Sequence, residues 1–92
     1  MQKVQVCLQG KVNAAFNLNW PAAAPIPRAG EGISLDGLGG GIDVQIVEVV
    51  HFVHHESMEI EIFLYGKISP EITKERLVAK LKEIPFVGKI YA

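Results

Sequence analysis

Two β-branched runs separated by a short polar break dominate this chain of 92 residues. Ile42 to His54 is rich in valine and isoleucine, and Met58 to Tyr65 alternates apolar with polar residues. A period of two is the repeat of a half-buried strand. A loop at His55-Glu56-Ser57 opposes His54 with Met58, Phe52 with Ile60 and Val50 with Ile62, and it turns Met58, Ile60, Ile62 and Leu64 inward. The other face then pairs Val53 with Glu59, His51 with Glu61, Val49 with Phe63 and Val47 with Tyr65. That face is polar at the loop end and apolar at Val47, Val49, Phe63 and Tyr65. The apolar end requires a cover: a helix, another sheet layer or a second copy of the chain.

The rest of the chain organises around this hairpin. Lys3 to Gln9 sets Val4, Val6 and Leu8 on one face, and the next run does the same with Val12, Ala14, Phe16, Leu18 and Trp20. Opposed residues share a face, so a loop at Gln9-Gly10-Lys11 pairs Leu8 with Val12 and Val6 with Ala14. Pro21, Pro25 and Pro27 make the following stretch an extended connection despite its alanines. Gly32 to Leu35 is a short strand closed by an Asp36-Gly37 turn, and Gly39 to Gly41 is the most permissive stretch of backbone. Ser69-Pro70-Glu71 carries a hydroxyl cap, proline at the first helical position and an acid beside the positive end of the dipole. It predicts a helix to about Glu83, with Ile72, Leu77, Leu81 and Ile84 on the apolar stripe. Pro85 ends it. Phe86 to Tyr91 reads as a last strand, and a strand–helix–strand crossover of this length permits parallel pairing.

Composition narrows the class. Hydrophobic residues make up 49% of the chain and charged residues 21%, which excludes a disordered segment and leaves enough apolar area for one core. One domain spanning 1–92 is expected. No apolar stretch approaches the ~20 residues of a membrane span. The N-terminus alternates without a signal-peptide core, and a single cysteine forms no internal disulfide, so a cytoplasmic location is expected. The net charge of −1 hides a segregation. Residues 31–66 hold Glu31, Asp36, Asp43, Glu48, Glu56, Glu59 and Glu61 with no Lys or Arg, while both flanking segments are basic. Such blocks meet inside one fold or between chains, and mutual neutralisation inside the fold is the simpler expectation.

Few residues carry a chemical signature. His51, His54, His55 and Glu56 form the one dense group of metal-type ligands. On a strand, however, His51 and His55 are roughly 13 Å apart, and His54 and His55 point to opposite faces. Cross-strand pairing of His51 with Glu61 is the simpler reading, and no metal ligand or cofactor is assigned. Cys7 has no neighbouring base to activate it, so no catalytic residue is assigned either. The Gly37 to Gly41 run lacks the sixth-position glycine and the following helix of a dinucleotide loop. Aromatic residues on the central strands are interleaved with acids, which argues against nucleic acid; Lys74, Arg76, Lys80 and Lys82 read as a solvated helix face.

The stretch Ile26-Pro27-Arg28-Ala29-Gly30-Glu31-Gly32-Ile33-Ser34-Leu35-Asp36-Gly37, followed by two long strands, resembles SH3-like small barrels of uncharacterised bacterial proteins. In these a Pro-Arg-x-Gly-acid turn leads into a short strand and a bent hairpin. The C-terminal helix and strand depart from a minimal barrel of that kind, and Leu77, Leu81 and Ile84 to Ile90 look instead like ferredoxin-like domains. The compact chain also looks like products of mobile bacterial gene cassettes. None of these resemblances transfers a catalytic residue.

The fold expected is α+β: a strongly curved, mainly antiparallel sheet of five or six strands, able to close as an SH3-like barrel, with one C-terminal helix and a final strand. The function expected is a non-enzymatic interaction module that self-associates as a homodimer through Val47, Val49, Phe63 and Tyr65. One alternative is a small-molecule-binding barrel with Trp20, the Gly39–Gly41 loop, His51, His54, His55 and Glu61 around its pocket. Another is a metal-dependent or acid–base enzyme built on the three histidines.

Overall fold

The computed structural model describes residues 2–10, 12–35 and 42–91. The chain is α+β, with strands β1 (Gln2–Leu8), β2 (Ala14–Trp20), β3 (Gly32–Leu35), β4 (Ile42–Val53) and β5 (Ile60–Lys67), helix α1 (Lys74–Glu83) and strand β6 (Val87–Tyr91). All six strands form one sheet in the order β3-β4-β5-β1-β2-β6, curled into a half-barrel. The Asp36-Gly37 turn and the Gly39–Gly41 loop fall outside the described residues.

One face of the sheet is the core. Val4, Val6, Phe16, Leu18, Val44, Ile46 and Leu64 are fully buried there, and α1 completes the cluster with Leu77, Leu81 and Ile84. No polar side chain is buried among the described residues, so burial of apolar area carries this fold.

The structure differs from the sequence expectation in four places. The β1–β2 loop is longer, so Leu8 faces Ala14 and Val6 faces Phe16. The shift is by two residues, which keeps every side chain on its expected face. Asn13 accounts for it: its side-chain oxygen accepts from the Gly10 N–H at 3.3 Å, and Gly10 takes a positive φ of 129°. Second, β6 pairs antiparallel with β2, and the parallel pair of the sheet is β1 with β5. Third, Ser69 caps only a turn, with Ile72 N–H donating to its carbonyl at 3.1 Å. The helix begins later at Thr73, whose hydroxyl accepts from the Arg76 N–H at 3.2 Å. Thr73 thereby closes an orphan amide of the first turn instead of competing with the backbone inside the helix.

The fourth difference decides the surface. The β4–β5 loop runs from His55 to Met58, one residue longer than expected; His54 N–H donates to the Glu59 carbonyl and Met58 N–H to the His54 carbonyl. Met58 adopts a left-handed φ of 58°. The register therefore slips by one, pairing Val53 with Ile60, Phe52 with Glu61, His51 with Ile62, Val50 with Phe63 and Val49 with Leu64. A one-residue slip exchanges the two faces. A bulge at Val47, between the Ile46–Gly66 and Glu48–Tyr65 pairs, exchanges them back for the rest of β4.

Candidate interaction surface

The bulge divides β4 into two parts with different neighbours. Up to Ile46 the strand lies in the body of the sheet: β3 covers its outer edge from Ile42 to Gln45, and Ile46 bonds to Gly30 and Glu31. Beyond Val47 it pairs only with β5, and β5 itself pairs with β1 only from Ile62 onward. The far end of the hairpin is thus a two-stranded arm. Its length follows from the sequence, because twelve extended residues reach about 40 Å whereas the ten-residue helix covers about 15 Å.

Large apolar side chains stand uncovered on that arm: Phe52 is 52% exposed, Val53 54%, Ile60 56% and Met58 75%, and Val47 at its base is 52% exposed. Around them lie Glu48, Glu56, Glu59 and Glu61, all exposed. The described residues contain only two ion pairs, Arg28 with Glu31 at 3.9 Å and His54 with Glu61 at 3.4 Å. Arg28–Glu31 joins the N-terminal basic block to the acidic one, while Glu48, Glu56 and Glu59 make no ion pair among the described residues.

Each singled-out residue among those described has a definite place. Glu61 meets His54 Nε2 and not His51, as the slipped register requires. The His54 ring also stands edge-on to Phe52, 5.1 Å between centroids. His51 is exposed on the opposite face of the arm, and His55 lies in the exposed turn. Among the described residues, no three His, Cys, Asp or Glu side chains converge into a metal site. Val47, Val49, Phe63 and Tyr65 do not form one patch. Val47 sits at the bulge, Val49 shares the core face with Leu64, and Phe63 and Tyr65 lie half-buried on the other face. The apolar surface is at the loop end instead, where the sequence pointed to polarity.

Trp20 serves structure. Its indole N–H donates to the Ala24 carbonyl at 3.2 Å and fastens the turn after β2. It lines a groove with Ile26, Pro27 and Arg28, whereas His51 lines another on the far side of the same segment with Val47 and Val49. Trp20 and His51 therefore line different grooves. Cys7 lies half-buried, and burial pushes its thiol pKa up, opposed by a hydrogen bond from Gln5 Nε2 at 3.8 Å. A thiol held in its neutral form is a poor nucleophile.

No helix among the described residues is long and apolar enough to cross a membrane. Compared with protein-family models, curated proteins and solved structures, the chain matches none.

The remaining feature of the arm is its edge. His54 directs its N–H toward β5, and antiparallel pairing alternates, so Val50 and Phe52 also face β5 while Val49, His51 and Val53 face away. No backbone group among the described residues bonds to those three on their outer side. Proteins blunt such edges with lysine, proline or a covering loop. From Val47 to Val53 this edge has neither lysine nor proline, and the Ile26–Ala29 segment flanks it from Val47 to His51 across a groove without bonding to it among the described residues.

Proposed function

We propose that the protein is a non-enzymatic interaction module that self-associates as a homodimer through the β4–β5 arm. The observation that carries this reading is the exposed group Phe52, Val53, Met58 and Ile60 on an arm that the helix is too short to cover. Phe52 stands on one face of the two-stranded arm and Val53 with Ile60 on the other, and apolar area left in water on both faces marks an interaction site. The unneutralised acids around it set orientation and exclude wrong partners more than they add affinity.

Light scattering after size exclusion tests the reading. A molar mass of twice the 10.1 kDa chain is expected, and it should persist in about 0.5 M salt because apolar contact is not screened. A mass that remains that of one chain at every concentration overturns it.

A further inference from the structure

We infer that two copies join edge to edge, the outer edge of β4 pairing antiparallel with the same edge of a partner about a two-fold axis at His51, so that one sheet continues across the dimer. This rests on the self-association proposed above and specifies its contact. The backbone selects the register. Val49, His51 and Val53 are the arm residues whose N–H and C=O groups point outward without partners among the described residues. Centring the axis on His51 sets Val49 against the partner's Val53 and His51 against the partner's His51, so every one of those groups is bonded. Centring it on Val50 leaves Val53 opposite the bulge at Val47, and centring it on Phe52 sets Val49 against the turn at His55. Both of these registers orphan a residue that the His51 register satisfies.

Side chains agree with that choice. Opposed residues share a face, which places Val50 beside the partner's Phe52 and Glu48 beside the partner's His54. No acid opposes an acid, whereas the Phe52-centred register sets Glu48 against the partner's Glu56. The paired stretch also ends where it must. Ile46 has given its outward groups to Gly30 and Glu31, and there the partner's chain leaves the edge in its own turn. That turn brings the partner's Glu56 toward Arg28, whose side chain is 90% exposed, at the mouth of the groove between Ile26–Ala29 and β4. There the partner's Glu56 would share the Arg28 guanidinium with Glu31, 3.9 Å away, in a chain whose arm carries no Lys or Arg of its own.

Amide hydrogen exchange and a proline substitution together test the pairing. In the wild-type dimer the amides of Val49, His51 and Val53 are expected to exchange slowly and to lose that protection on dilution. His51→Pro removes an outward N–H while sparing the bonds to β5, as proline is tolerated on an edge. It should keep the native circular dichroism and run as a monomer. A dimer whose three amides exchange freely, or one that persists in a folded His51→Pro, overturns edge pairing and leaves self-association standing. A wild-type monomer at all concentrations overturns both. Should His51→Pro fail to fold, the wild-type exchange pattern decides alone.

Discussion

Gly66 shows how much a single position governs the arm. It faces Ile46 at the base of the bulge, and a Cβ placed on it would stand 2.6 Å from Val44 Cγ1 and 2.9 Å from the Gln45 carbonyl oxygen. The second contact is with backbone, so no rotamer change relieves it. Gly66→Ala therefore has to push β4 and β5 apart where the bulge re-aims the chain. A destabilisation of roughly 1–3 kcal/mol is expected by chemical denaturation, the usual range for overpacking. The same change at Gly88, where the nearest atom would be Asn17 Cβ at an ordinary 3.6 Å, should cost much less. Equal effects at the two glycines would show that the close approach of the strands does not matter. Met58 is a second such position, since its left-handed φ is what lengthens the turn and fixes which face of the arm carries Phe52.

Among the elements, α1 offers the sharpest comparison, because two hydroxyl residues compete to start it. Ser69 makes the stronger sequence signature, but Thr73 holds the first-turn amide of Arg76. Thr73→Ala is expected to cost about 1 kcal/mol in a thermal or denaturant melt, and Ser69→Ala clearly less. The reverse order would move the helix start back to Ser69. The case also shows what the sequence can convey. Alternation identified β1, β2, β4 and β5, proline bounded the helix, and Leu77 and Leu81 were recognisable as its buried stripe. The faces of the arm were not recoverable, because Val49, Val50, Phe52 and Val53 put apolar residues on both parities and carry no preference for either register. His54 was accordingly separated from Glu61, and the exposed surface was assigned to Val47, Val49, Phe63 and Tyr65. The length of the Ile42–His54 run is the signal the sequence carries for the arm, since a strand rises about 3.3 Å per residue against 1.5 Å for the helix.

At the scale of the whole molecule, the core and the proposed association surface lie in different places. The core joins the sheet face to Leu77, Leu81 and Ile84, while Phe52 and Ile60 lie outside it on the arm. The body should therefore fold without them. Phe52→Thr combined with Ile60→Thr keeps strand propensity and removes apolar area that the monomer leaves in water. At high dilution, the melting temperature of this variant is expected to match the wild type within a few degrees. If the proposed dimer forms, the wild-type melting temperature is expected to climb as protein concentration rises, by mass action, because only the folded chain presents the arm. The double variant has lost that contact, so its melting temperature should stay flat. Parallel climbing of both curves would place the interface elsewhere, on the outer sheet face with Phe63 and Tyr65 or on the basic face of α1. A variant unstable even when dilute would mean that the arm belongs to the core. The long axis of 40 Å against 25 and 23 Å reflects this division, a small packed body with an extended hairpin whose free end needs a second surface to become buried.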